Sequence, residues 1–557
     1  MTCNPTTLRA ALILPTSIAL AMFVTGCSNN TTNDSSASAG ANIDPNVLAE
    51  KQELVVNNGT EPESLDPHKV SGVPEAGVIR QMLEGLTSTD ANGKTVPGMA
   101  TEWESADNKV WTFKLRDANW SNGDPVTAED FVYSLRRVVD PNTASPYSSY
   151  LVDAQVAGAK QIVEGEAGVE TLGVEAIDDK TLQVTLTDPV PYFPDMLIHT
   201  SVKPVHQKTV EEFGDKWTSP DNIVVNGPYK VSKWQINDEI VLTRNPEYYD
   251  DANTTLETIT MLPIPSSVTD VARYQAGEVD MTYNEIPTEQ FTSLQQQHGD
   301  ELKISPLLCT YYYEFNTVKP PFDDPKVRRA LSLALDRDTI ADKVIGQGQT
   351  TAYQLTPTST NGNVTNTPEW STWDQDKRVA EAKKLLNAAG YDENNPLSFE
   401  LLYNTNDNHK KIAIAATSLW EQALGFVDVT LTNKEWKTYL DTRRNGDYEI
   451  ARAGWCADYN EPSSFLNIAK SDNSGNYGKY NSPNFDSLMA QTLKPGLSDE
   501  QRSDLYQQAE AQLDNDMGLL NIYHYVSPRL VKPYVIGYSN TDALDNWHGK
   551  DISIAKH

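Results

Sequence analysis

Apolar and polar positions alternate over residues 110–115, where Trp111, Phe113 and Leu115 are separated by Thr112 and Lys114. A period of two marks a strand with one buried face. The pattern changes at Thr127. A hydroxyl there suits an N-cap, Asp130 completes a capping box, and Val126 can staple to Phe131, which predicts a helix from this point. Asp324-Pro325 supplies a cap and a first-turn proline. Val327, Ala330, Leu331, Ala334 and Leu335 then fall on one helical face. A further helix over about 375–389 carries Val379, Ala382, Leu386 and Ala389 and stops at Gly390. Leu397, Phe399, Leu401 and Tyr403 alternate, a helical run of about 409–424 ends near Gly425, and Val427, Val429 and Leu431 alternate again. Strand, helix, strand predicts a parallel pair with a crossover. Ligands of open α/β sheets bind beyond the carboxyl ends of such strands, and His409 stands there, at the start of the helix. The whole chain mixes strand-like and helix-like runs, so the fold class is α/β. At 557 residues it is too long for one core and should form two or more lobes.

The N-terminus departs from this pattern. Arg9 precedes a mostly apolar run, Ala10 to Val24, interrupted by Pro15, Thr16 and Ser17 and short for a membrane span. It ends in Val24-Thr25-Gly26-Cys27, which resembles the lipobox of bacterial lipoproteins. Residues 1–26 then read as a signal peptide and Cys27 as a lipidated N-terminus; the alternative is a plain signal peptide cut nearby. The polar residues after Cys27 predict a flexible tether over 27–50. No later segment is long and apolar enough to cross a membrane, so membrane contact is expected only through the lipid. Of four Cys, Cys3 leaves with the signal and Cys27 takes the lipid. Cys309 and Cys456 remain in an oxidising compartment, where two thiols usually pair. A disulfide closing so long a loop stabilises by up to about 5 kcal/mol. The alternative is two separate buried thiols.

Charge and motifs narrow the function. The formal net charge is −32, from 45 Lys and Arg against 77 Asp and Glu, and the mature region has no basic cluster, which argues against nucleic acid. The acidity itself reads as solubility. The 25 Tyr and 11 Trp suit a ligand cleft and an ordinary core equally. There is no HExxH, GxSxG or P-loop, and Gly346-Gln347-Gly348 lacks the rest of a nucleotide fingerprint. No two His stand at metal-ligand spacing. A fold can gather scattered residues, so these absences argue only weakly against an enzyme or a metal or cofactor site.

The most informative stretch runs from Arg452 to Pro462. Ala453 and Gly454 leave the backbone bare, so another chain can lie against it. Asp458 can hold a cation and Arg452 an anion, and a free peptide carries one of each at opposite ends. Each residue also has a plainer reading. Asp458 sits in Asp-Tyr-Asn-Glu-Pro, which is turn chemistry. Arg443, Arg444 and Arg452 can be surface ion pairs. Trp436 and Trp455 can be core residues, and His409 a helix-start residue.

A resemblance shifts these readings. Glu63 to His68, Trp111 to Phe131, Asn226-Gly227-Pro228-Tyr229, Asn245-Pro246-Glu247-Tyr248, Cys309 to Glu314, Val327 to Arg337, Glu435-Trp436-Lys437 and Arg529 to Pro533 resemble the oligopeptide-binding proteins that serve ABC importers, over about 51–557. The resemblance implies a bilobal periplasmic-binding-protein-like fold of type II with an additional inserted domain. Lobe I would combine 51–83, 207–308 and 526–557, lobe II would be 84–206, and lobe III 309–525. It further implies that Asp458 takes the amino group of a peptide. Backbone of Gly454, Trp455 and Cys456, and of Ser71, Gly72 and Val73, would pair along the ligand. Tyr147, Trp436 and Trp455 would line side-chain pockets. Arg452 and His409 would meet carboxylates of peptides of different length, with Arg443 and Arg444 as further peptide-binding candidates. Three departures stand out: Ser71 where relatives often have Glu, Ile345 where they often have Lys, and Arg444 where they often have His. The loss at 345 removes one carboxylate-binding mode. The implied partners are peptides of about two to five residues and the transmembrane subunits of an ABC permease, with the receptor a periplasmic, lipid-anchored monomer. A same-fold receptor for murein tripeptide, haem or a metal chelate is the alternative, and a peptide hydrolase a more distant one.

Overall fold

The computed structural model describes residues 43–362 and 364–557. The expected signal peptide and Cys27 lie outside the described residues. The expected tether reaches into them, and its last part is not free chain: Ala49 N donates to Ile554 O and Lys556 N to Val47 O. Ordered structure thus begins before residue 51.

The architecture is bilobal α/β, with further sheets and helices inserted beyond the two core lobes. In one sheet Glu53–Asn57 runs parallel to Thr258–Leu262, followed antiparallel by Glu239–Arg244 and Tyr229–Gln235. The C-terminal segment joins this sheet's lobe, where Gln52 exchanges two 2.9 Å hydrogen bonds with the backbone of Ile554. A second sheet, all antiparallel, is ordered Ala100–Glu104, Val110–Leu115, Thr181–Thr185, Val174–Asp178. Within Val110–Leu115 the buried positions are Trp111, Phe113 and Leu115, as the period of two predicts. Helix Ala128–Val139 follows, its Thr127 N donating to Asp130 Oδ2 at 2.8 Å within a capping box. Val126 and Phe131 are both fully buried.

The third sheet has six strands in the order Thr350–Thr351, Leu519–Leu530, Leu302–Phe315, Ile450–Cys456, Leu397–Asn404, Val427–Lys434. The last two are parallel from Leu397↔Val427 to Asn404↔Lys434, with helix Asp407–Leu424 as the crossover and Gly425 (φ 82°) ending it. Helix Pro325–Ala334 starts where Asp324 Oδ1 accepts from Lys326 N at 2.8 Å.

Two long antiparallel strands, Leu302–Phe315 and Leu519–Leu530, pass from one lobe to the other. At one end Leu302 and Leu530 pack with Leu262, Val271 and Tyr274; at the other, Tyr313, Phe315, Leu520 and Ile522 pack with Leu331, Leu401 and Trp420. Their register breaks between Pro306 and Thr310. The strand pair that leads into the cleft is cross-linked, because Cys309 and Cys456 are register partners and form a disulfide with Cα atoms 4.0 Å apart. Among the described residues no helix is long and apolar enough to cross a membrane.

Candidate functional site

The lobes enclose a cavity of about 300 Å³ between them. Its most distinctive wall is backbone. Strand Ile450–Cys456 pairs along its whole length with Leu302–Phe315, but on its other side it pairs with Leu397–Asn404 only at Ile450 and Ala451. From Ala453 onward that second edge has no strand partner among the described residues, and Gly454, Trp455 and Cys456 line the cavity. From the other lobe Ser71, Gly72 and Val73 line it too, and Gly72 is extended (φ −99°, ψ 151°). Both edges depend on glycine. A Cβ on Gly72 would stand 2.0 Å from Glu75 Oε2, and one on Gly454 would crowd Arg452 Nη2 at 3.2 Å and Tyr525 Oη at 3.3 Å. The neighbours can close in only because no side chain is there.

At one end of the bare edge sits Asp458, its side chain 9% exposed. Tyr147 Oη donates to Oδ1 at 3.2 Å, and His199 Nε2 lies 3.2 Å from the same oxygen. Burial, with Arg80 and Lys203 nearby, pushes His199 down to about 3, so the ring is neutral and adds a hydrogen bond rather than a charge. Burial pushes the Asp458 carboxyl up to about 8. Asp458 is therefore a desolvated acid with no Lys or Arg within ion-pair distance among the described residues, and an arriving ammonium would supply a cation.

Towards the other end lies Arg452. Its Nη2 donates to Tyr525 Oη at 2.7 Å and its Nη1 to Asn404 Oδ1 at 3.3 Å, and the guanidinium stands 5.0 Å from the Tyr311 ring centroid. These partners are all neutral, so its charge is left for an anion. His409 is buried beside it and also lines the cavity. Asn406 Oδ1 accepts from His409 N at 2.9 Å, while the ring Nδ1 has no partner among the described residues. Burial and the charge of Arg452 hold this imidazole well below its usual range, so it meets a ligand as a neutral group.

The remaining candidates divide. Arg443 touches the cavity, but it is buried in an ion pair with Glu314 (Nη2–Oε2 3.0 Å), to which Tyr448 also donates. Arg444 grips Glu63 with two bonds of 2.9 and 2.6 Å and reaches Ser71 Oγ at 3.1 Å. Both arginines are thus paired, Arg443 in the interior and Arg444 partly exposed. Trp436 lines the cavity and donates to Glu75 Oε1 at 3.2 Å; Trp455 donates to Ser464 O at 2.7 Å, with its ring 6.3 Å from that of Tyr147. Ile345 is buried in the core, away from the cavity. Sequence reasoning missed His199, Glu285, Asn404, Asn406 and Tyr525, which all line the cavity. Asn406 carries a local signal only as a capping residue at the start of a helical run, and the others belong to no motif or periodic face.

A deep interlobe cleft with a bare strand edge, a buried acid towards one end of that edge and an arginine towards the other defines a solute receptor of the periplasmic-binding kind. The comparisons agree. Residues 94–477 match the model of the bacterial extracellular solute-binding proteins, family 5, and the chain belongs to that family. It is accordingly a transport receptor and not an enzyme. The periplasmic oligopeptide-binding protein OppA of Salmonella typhimurium is 55% identical over 94% of this chain and 96% of its own length. The structure of Haemophilus influenzae OppA in complex with RPPGFSPFR superposes with a TM-score of 0.90 at 49% identity, covering 91% of this chain and 100% of the other. The Escherichia coli murein tripeptide binding protein MppA is 42% identical over 92% of this chain. One of its structures, fully covered, gives a TM-score of 0.90, and its unliganded open form, 99% covered, gives 0.64. The lobes of this chain stand nearer to the first arrangement than to the open one.

Proposed function

We propose that this chain captures short peptides in extended form between its lobes and delivers them to an ABC-type peptide permease. The observation that carries the reading is the unpartnered edge of Gly454–Cys456 between Asp458, which has no Lys or Arg within ion-pair distance, and Arg452, which has no acid within ion-pair distance, among the described residues. Main-chain pairing with that edge, and with Ser71-Gly72-Val73 opposite, holds any sequence, and the two charges read the termini. Tyr147, Trp436 and Trp455 shape the side-chain pockets. Arg443 and Arg444 act indirectly, by fixing Glu314, Glu63 and Ser71. The names of the relatives point to the same ligand class and to the periplasm. Lobe I is assigned 51–83, 207–308 and 526–557, lobe II 84–206 and lobe III 309–525. The boundaries near 308 and 525 fall inside the two crossing strands, whose register break at Pro306–Thr310 makes a natural hinge. The protein works as a monomer, lipid-anchored through Cys27.

The ligand length is proposed as about two to five residues, as the resemblance implies, and since one group cannot meet carboxylates spaced about 3.3 Å per residue apart, Arg452 and His409 serve different lengths. Calorimetry over di- to pentapeptides and a nonapeptide tests this. Arg452→Ala should weaken one length class and His409→Ala another, each roughly tenfold or more. An equal loss at every length for both variants contradicts the reading.

A further inference from the structure

The cleft holds a second charge that its own fold leaves unmatched. Glu285 lies between the bridge residue Met281 and helix Thr288–His298, in the lobe opposite Arg452, and lines the same cavity. Its Oε2 accepts from Asn406 Nδ2 at 2.8 Å, and no Lys, Arg or His stands within ion-pair distance of it among the described residues. The nearby lysine, Lys411, is held by Glu289 at 2.7 Å, and the nearby acid, Asp407, accepts from Ser266 Oγ at 2.8 Å. Burial raises the Glu285 carboxyl above its usual range and Asp407 adds to this, while the Asn406 bond and the charge of Arg452 act the other way.

The two walls mirror each other. Asn404, at the end of strand Leu397–Asn404, offers its carbonyl oxygen to Arg452; Asn406, two residues on, offers its amide nitrogen to Glu285. A cation and an anion share one end of the cleft, each bonded to neutral groups and not to each other. Sequestered charges so matched are poorly compensated. A ligand bearing both signs at one end would complete both. Within a peptide, that is the last residue when it is basic and its carboxylate is free.

We propose that this end of the cleft is a subsite for a C-terminal lysine or arginine, with the carboxylate on Arg452 and the side-chain cation on Glu285. The proposal rests on the peptide reading and makes Glu285 a specificity-determining residue within it. Glu285 Oε1 carries no protein hydrogen bond among the described residues and is available to the incoming cation.

The test is calorimetry on the full chain with Ala-Ala-Lys, Ala-Ala-norleucine and Ala-Ala-Ala. Norleucine keeps the apolar stem of lysine without the ammonium, so the ratio of the two affinities reads the charge alone. The expected ratio is about tenfold in favour of lysine, as for one charge-assisted hydrogen bond. In Glu285→Gln the ratio should fall to near one, and in Glu285→Asp part of it should survive. Because each ratio is taken within one protein, a general loss of stability does not imitate the effect. A ratio of one or below in the wild type overturns the subsite, as does a preference that persists in Glu285→Gln. Failure of all three peptides to bind the wild type overturns the peptide reading as well.

Discussion

Asp458 carries most of the weight among the single residues. Burial raises its carboxyl to about 8, so near neutral pH it holds a proton, and a peptide's α-ammonium, with an ordinary pKa of about 8, is charged. Pairing expels the proton from Asp458. Affinity should therefore climb as pH rises from about 5 towards 8, by up to about tenfold per unit, and fall above about 8 as the amine itself deprotonates. Calorimetry near pH 7 in buffers of different ionisation enthalpy should find close to one proton released, and none in Asp458→Asn; affinity flat between about pH 5 and 8 contradicts this. Asp458→Ala should cost about 2–5 kcal/mol, roughly thirtyfold to several-thousandfold in affinity. Asp458 and Arg452 stand out in the sequence because they flank a short bare stretch. His199 and Glu285 do not, because each meets its partner across the cleft, from a segment with no period or motif. Arg443 and Arg444 are visible as a basic pair, but the acids that neutralise them, Glu314 and Glu63, come from distant strands and loops.

At the level of elements, local pattern and local structure agree where capping and period speak together. The helices after Thr127, Asp324 and Asn406 begin where a side-chain oxygen can cap them, and the parallel pair around helix Asp407–Leu424 follows from alternation alone. The long strands are another matter. The continuity of Leu302–Phe315 through Pro306 comes from pairing with Leu519–Leu530, which no local pattern encodes. The segment Glu63–His68 shows how loops are pinned to elements. Arg137, from helix Ala128–Val139, donates to both oxygens of Asp66 at 2.8 and 2.6 Å, and Trp217 Nε1 adds a bond of 3.0 Å. Burial alone would raise this carboxyl, but the bonds and charge of Arg137 outweigh it and bring Asp66 from 3.8 down to about 2. A depressed folded pKa contributes stability that is present above the unfolded value and is lost as pH falls through the folded one. Wild type should thus lose about 2 kcal/mol between about pH 4 and pH 2 through this group. Chemical denaturation should find that increment missing in Asp66→Asn. An identical acid limb in both proteins would show that the ion pair is already present in the unfolded chain.

At the scale of the whole molecule, the two lobes are joined by a pair of crossing strands. Contacts across the cleft, such as Arg444 with Glu63, Trp436 with Glu75 and Lys470 with Asp153, belong to the closed arrangement described here. The proposed lipid anchor belongs to this scale as well. Cys27→Ala should move the protein from the membrane to the soluble fraction on cell fractionation, whereas a wild type that is already soluble rules out the lipid.

The central claim is that the cleft binds peptides by their backbone and termini, with little regard to sequence. Native mass spectrometry of the purified protein, mixed with tripeptides of varied sequence and their N-acetylated counterparts, tests it most directly. The account predicts intact free tripeptides bound across sequences, with the acetylated forms excluded or weakened at least about thirtyfold. Equal binding of free and acetylated peptides, a single bound mass of another kind, or cleaved products would contradict it.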